Sequence, residues 1–151
     1  MLWPIDLKKA YMKIEGNIEF HVVEQGPERV VSEMPIQPGV KNPYGVVNAG
    51  AILWFADVTA SILVLGSSRP IEGMAGFPLA ITLNANFVSN QKEGTFRAVA
   101  SFVKKGKRVN VVRTIVYGKN DRLIADVTTN HVAAKPMDLV RNNLNTDSAE
   151  C

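Results

Sequence analysis

NPYGVVNAGAILWFADVTASILVLG, residues 42–66, decides how the rest of the chain is read. A loop that turns at Pro43 and Gly45 leads into a helix beginning near Asn48, and Gly66 with the following Ser-Ser-Arg-Pro stops it. Between these signals Ile52, Leu53, Phe55, Ala56, Thr59, Ala60, Ile62 and Leu63 leave almost no polar face, which predicts a helix buried nearly all round. Asp57 interrupts it. A lone carboxylate in such surroundings is costly unless it is paired, hydrogen-bonded or used. The competing reading is a membrane span, for which about 20 apolar residues suffice. Asp57 would then sit near the middle of the bilayer at a cost of roughly 3 kcal/mol. The rest of the chain alternates like a sheet, and a helix wrapped by that sheet explains the apolarity better.

Outside this stretch, composition sets the frame. A chain of 151 residues with 46% hydrophobic and 21% charged residues is ordinary for one globular domain with one core. Pro4 and Asp6 interrupt the start of the chain, so no signal peptide is expected. The single cysteine, Cys151, allows no internal disulfide and fits a reducing compartment such as the cytoplasm. A net charge of +3 permits an anionic ligand, but no basic helix or aromatic-basic array points to nucleic acid. His21 and His131, the two histidines, lie far apart without Cys or acidic ligand spacing, so no metal site is expected. Nucleophile-elbow, P-loop and dinucleotide signatures are absent from the sequence.

The remaining elements follow in order. Residues 5–14 read as a short amphipathic helix. Asn17 to Glu24 and Arg29 to Ile36 read as a hairpin around Gln25-Gly26-Pro27. After the central helix, strands are predicted over Leu79 to Ser89, Gly94 to Lys104, Arg108 to Gly118 and Leu123 to Val132. Short turns between neighbours make this part of the sheet antiparallel. A hairpin, a long apolar helix and four more strands make an α+β fold in which a curved sheet closes around one helix.

This order, together with the helix and its approach loop, resembles the hotdog-fold acyl-CoA thioesterases. Within the 4-hydroxybenzoyl-CoA thioesterase superfamily it is most similar to the phenylacetate-degradation type. The resemblance covers roughly residues 15–133, so a single hotdog domain is expected over 1–134 and a frayed polar tail over 135–151. The family's helix start reads Asn, a few residues, Gly, two more, then His-Gly-Gly, with a catalytic acid further along. Asn42 matches the Asn, Gly45 the turn glycine, Asn48-Ala49-Gly50 the His-Gly-Gly, and Asp57 the acid without a gap. In the later strand PLAITLNANFVSN, Pro78, Asn84, Phe87 and Ser89 also fall on residue types common in the family.

What the resemblance implies is thioester hydrolysis, and the residues suit it. Thioester cleavage needs a water or carboxylate nucleophile and donors aimed at the developing oxyanion. A helix N-terminus offers free N–H groups and a positive dipole end. Asp57 is the expected nucleophile or general base, Asn42 and Asn48 polar helpers, and the Ala49 and Gly50 amides the oxyanion donors. The family pattern departs at two points. Asn48 replaces the His and cannot take up a proton. Ala80 stands where the family often has a Ser or Thr; Thr82, two residues on and hence on the same strand face, is the candidate substitute. The plainer readings are that Asn48 is an N-cap and Thr82 a sheet residue.

Lys104, Lys105, Lys107 and Arg108 form the densest charge in the chain. They read either as a solvated hairpin or, as the resemblance implies, as a clamp for CoA phosphates. The implied partners are an acyl-CoA substrate and further copies of the chain, a dimer or tetramer whose site lies between subunits. No cofactor is implied beyond the CoA of the substrate itself, and neither nucleic acid nor membrane is an expected partner. Two rival functions share the fold: a non-catalytic acyl-CoA-binding protein, and an acyl-carrier-protein thioesterase or hydratase.

Overall fold

Apolar residues at every second position build the strands, and a stripe repeating every three to four residues builds the helix. The computed structural model describes residues 13–136. Its strands are β1 (His21–Gln25), β2 (Arg29–Pro35), β3 (Pro78–Phe87), β4 (Thr95–Lys105), β5 (Val109–Tyr117) and β6 (Leu123–Ala133), with one α-helix, α1 (Ala49–Leu65), between β2 and β3. The sheet is antiparallel throughout, in the order β1-β2-β4-β5-β6-β3. The amphipathic helix expected at 5–14 and the tail expected at 135–151 lie almost wholly outside the described residues; Lys13, Ile14, Lys135 and Pro136 have no regular structure.

Two expectations about this sheet change. The short turn after β3 does not make a hairpin with β4. Instead β4 sits between β2 and β5, and β3 lies at the far edge against β6. The reason lies in the neighbours: β4 pairs with β2 from Arg29↔Ser101 to Pro35↔Thr95, which leaves no free side for β3.

The second change concerns the helix. α1 lies across β2 to β6 and buries Ile52, Phe55, Ala56, Thr59, Ala60 and Leu63. This is a single stripe at the spacing i, i+3, i+4, i+7, i+8, i+11. Its lower half packs with Met34, Phe96, Ala98, Val116, Ile124 and Val127, its upper half with Val30, Ala100 and Val112. Phe55 is wholly buried, and truncating it to Ala would cost about 3–5 kcal/mol. The opposite face is not wrapped: Leu53, Trp54, Asp57, Val58, Ser61, Ile62, Val64 and Leu65 are at least partly accessible. One sheet curves around one side of a helix only. The apolarity of the other side belongs to a surface, and Trp54 shows it, packing edge-on against Phe20 at 5.2 Å while 40% exposed.

Candidate active site at the start of the helix and around Asp57

The loop before α1 is held by its own backbone. Lys41 and Val47 form an isolated antiparallel bridge, Asn48 N–H donates to the Val40 carbonyl at 2.8 Å, and Gly45 takes φ 96°, open to glycine at little cost. Asn42 closes the turn: its N–H donates to the Val46 carbonyl at 2.9 Å and its Oδ1 accepts from Val46 N–H at 3.3 Å. What Asn42 can still offer a ligand is its side-chain NH2. Asn90, from the loop after β3, clamps both backbone groups of the buried Val47, accepting from its N–H at 3.2 Å and donating to its carbonyl at 2.8 Å.

Asn48 is the N-cap of α1, with its Oδ1 accepting from Gly50 N–H at 3.2 Å. The Gly50 amide expected as an oxyanion donor therefore has an intrachain acceptor, at an exposed position where a ligand oxygen can take over. Ala49 and Gly50 are both exposed. Asp57 lies eight residues beyond Ala49, about 12 Å along the axis at 1.5 Å per residue. A single thioester carbonyl cannot touch both ends of that span.

Asp57 is half-buried, and its Oδ1 is shielded from solvent without a hydrogen-bond partner among the described residues. A shielded, unpartnered carboxylate oxygen is an uncommon and costly arrangement outside a site. The charge of Asp57 acts on His131, a residue the sequence reading had set aside. His131 is wholly buried on β6, and its Nε2 lies 2.8 Å from Thr129 Oγ1. Burial lowers its pKa below 6.5, opposed by the negative charge of Asp57 and by the Pro78 carbonyl. The inward alternation Val127, Thr129, His131 was readable as a buried face; the effect of Asp57 on it was not.

Thr82 does not stand where the two-residue spacing put it. A bulge between Ala80 and Thr82 inserts one residue, so Ala80 pairs with His131 while Thr82 pairs with Asn130. Paired residues share a face, so Ala80 lies on the helix side with His131 and Thr82 on the outer side. There Thr82 Oγ1 accepts from Asn130 Nδ2 at 2.6 Å. Thr82 thus lies on the outer face of the sheet, and Ala80 on the inner one.

A second bulge, between Phe102 and Lys104, divides the basic hairpin. Lys104 pairs with Val111 on the outer face, and Lys105 pairs with Asn110 on the inner face. Lys105 Nζ lies 5.4 Å from the Phe102 ring centroid and lines a cleft of about 890 Å3 with Val22, Pro27, Ile62, Leu65 and Arg69. Lys107 and Arg108 are in the exposed turn itself, where a Cβ on Gly106 would collide with the Val109 carbonyl. The four cations are thus not one continuous clamp.

Comparison with known proteins decides the family, because the model of the thioesterase superfamily matches residues 44–125, more than half of the chain. The chain belongs to the thioesterase superfamily. It is a thioester hydrolase of the hotdog fold. Among curated proteins it is 29% identical over 120 residues to the "Putative esterase ComA2" of Bacillus subtilis (strain 168), covering 80% of this chain and 90% of that one. It is 24% identical over 129 residues to the 1,4-dihydroxy-2-naphthoyl-CoA hydrolase of Escherichia coli (strain K12), covering 82% and 92%. Among solved structures, a mutant of the thioesterase SAV0944 of Staphylococcus aureus superposes with a TM-score of 0.68 at 27% identity, covering 78% of this chain and 93% of that one. The thioesterase described here has no helix among its described residues long and apolar enough to cross a membrane.

Proposed function

We propose that this thioesterase hydrolyses acyl-CoA to the free acid and CoA at a site shared between two copies of the chain. The observation that carries the reading is Asp57: a carboxylate on a half-exposed apolar face, one oxygen shielded and unpartnered, in a fold that hydrolyses thioesters. Its reach of about 12 Å from the N-terminus of its own helix supports a partner supplying that end of the site. The edge strand supports the same assembly. β3 is ten residues long with no lysine, and Leu79, Ile81, Leu83 and Phe87 are exposed along it. Such an edge is a template for a second strand.

In this arrangement the thioester oxygen takes the Gly50 N–H from Asn48 Oδ1 and lies near the Ala49 amide at the positive end of the helix. Asn42 and Asn48 side chains contribute further donors. Asp57 of the other copy accepts a proton from water as the hydroxide attacks the carbonyl carbon, or attacks with its own oxygen to give an anhydride that water cleaves. On either route the C–S bond breaks, CoA leaves as the thiolate, and the thiolate takes up a proton. Lys105, with Lys107 and Arg108 near it in the hairpin, is placed to meet the CoA phosphates, Lys104 contributing only from the outer face. A CoA thioester is also the substrate in the name of the Escherichia coli relative, which supports the substrate class. A cytoplasmic location belongs to the same proposal.

The test is acid and thiol release from short, long and aromatic acyl-CoAs, run beside the matching acyl-carrier-protein thioesters. Turnover of CoA substrates is expected. Hydrolysis of carrier-protein thioesters alone would move the activity to the rival substrate class.

A further inference from the structure

The cover that α1 gives the sheet ends between β6 and β3. On the inner face Ala125 pairs with Phe87 and Thr129 with Leu83. Ala125 and Thr129 are 0% exposed, yet Leu83 is 41% and Phe87 45% exposed. Neighbouring strands lie about 4.8 Å apart, so the inner face opens within a single strand spacing. The floor of the opening is apolar. β3 has no charged residue, and its polar side chains Thr82, Asn84 and Asn86 pair with Asn130, Thr128 and Asp126 on the outer face.

Which flank of α1 borders this opening follows from what its other flank touches. α1 runs along the strands, since its first half packs with Met34, Ala98 and Val116 and its second with Val30, Ala100 and Val112, on the same three strands. Phe55 packs edge-on against Phe20, the residue before β1, at 5.2 Å, and Ile62 lines a cleft with Val22 of β1. That flank looks toward β1. At about 100° per residue, Leu53 and Asp57 lie one turn apart on the opposite flank of the buried stripe, toward β3. Both are partly accessible. A groove thus runs between α1 and the edge strand, with Leu83 and Phe87 in its floor and Leu53 and Asp57 in its wall.

We propose that this groove takes the acyl group of the thioester, that the group is an uncharged hydrocarbon, and that Leu83 and Phe87 select it. The proposal deepens the thioesterase reading and rests on Asp57 being the reacting carboxylate. Asp57 itself argues for a ligand here rather than for more protein. One of its oxygens is already shielded without a partner, and an apolar protein surface laid over the groove would seal the rest of the charge away from water. A thioester instead brings its electrophilic carbonyl to the wall and leaves its hydrocarbon for the floor. That floor offers nothing to a polar acyl group: it carries no charge, and Ala80 and Ala85 on the same face add only methyl groups. Leu83 and Phe87 lie four residues apart, about 13 Å along the strand, so a chain of several carbons meets both and an acetyl group does not.

Relative turnover is the first test: kcat/KM for octanoyl-CoA, acetyl-CoA and glutaryl-CoA in the wild type, Leu83→Ala and Phe87→Ala. Octanoyl-CoA is expected to be the best of these substrates. Each mutant should lose about tenfold on it, the worth of a methylene or two in an apolar pocket, with acetyl-CoA little changed. A preference for glutaryl-CoA would overturn the proposal. Equal losses on octanoyl-CoA and acetyl-CoA would overturn it too, giving the two side chains to folding or assembly. The second test needs no turnover: NMR titration of the Leu83 methyl groups with octanamide, which is neutral beside Asp57, against acetamide. Saturable shifts with octanamide alone are expected. Such shifts in a protein inactive on every acyl-CoA would uphold the groove and reject only the CoA reading. Silent methyl groups in an enzyme that hydrolyses octanoyl-CoA would overturn the groove and leave the activity standing.

Discussion

The side-chain amide of Asn90 pairs with both backbone groups of Val47, at 3.2 and 2.8 Å, and so fastens the loop after β3 to the residue that precedes the helix N-cap. Val47 is 1% exposed, which means water cannot replace these bonds. Asn90→Ala should therefore cost about 2 kcal/mol, the penalty of leaving a buried donor and acceptor unmade. It should also lower kcat, because the Asn48-Ala49-Gly50 corner loses its support. Urea unfolding alongside acyl-CoA turnover checks both, and an unchanged midpoint would show the clamp to be idle.

Asp57→Asn keeps the shape of the side chain and removes its charge and basicity. Hydrolysis should fall by at least about a hundredfold, the lower end for general-base catalysis. The fold should survive, and thermal stability should hold or rise, since a neutral amide is cheaper to shield than a carboxylate with an unpartnered oxygen. Full activity in the mutant would remove Asp57 from the mechanism.

For the basic hairpin, the register separates two residues that adjacency in sequence had joined. Lys105→Ala, on the cleft side, should raise KM for acyl-CoA with kcat nearly unchanged, the mark of lost uniform binding. Lys104→Ala, on the outer face, should change KM less. Added salt should narrow the difference, because phosphate contacts at a surface are screened. Equal effects from both lysines would return the hairpin to a solvated turn.

The edge strand offers a test of assembly. Leu83→Lys places a charge on the edge strand β3, where Leu83 is 41% accessible in the single chain. If copies pair through this strand, sedimentation should show dimers or tetramers in the wild type and dissociation in the mutant, with loss of turnover. A wild type that is a fully active monomer would sink the shared site.

Stability should depend on pH through His131. Its folded-state pKa is lowered from 6.5, chiefly by burial, so the unfolded chain binds the proton more readily. The neutral ring is compatible with the fold above about pH 6.5, and stability falls as pH drops through that value toward the lower folded-state pKa. His131→Gln should flatten this part of the pH–stability curve. Persistence of the same slope would assign it to other groups.

What the sequence by itself determined was local and periodic. Six alternating runs, one long apolar run bounded by Gly45 and Gly66, and the N-cap at Asn48 are short-range properties, and each is found within a few residues of its expected place. The position of Asp57 on that helix was legible for the same reason, since a carboxylate in an apolar run is visible without any fold. Tertiary structure decided what depends on partners distant in sequence. The pairing of β4 with β2 pushed β3 to the edge, although only the seven residues 88–94 join β3 to β4. Single-residue bulges, which leave no mark in composition, reversed the faces of Thr82 and Lys104. The open face of α1 exists because a six-stranded sheet covers one side of a helix, a fact of geometry that the uniform apolarity of residues 51–65 conceals. His131 lies 74 positions from Asp57 in the chain, and only the crossing of α1 over β6 brings its charge within reach.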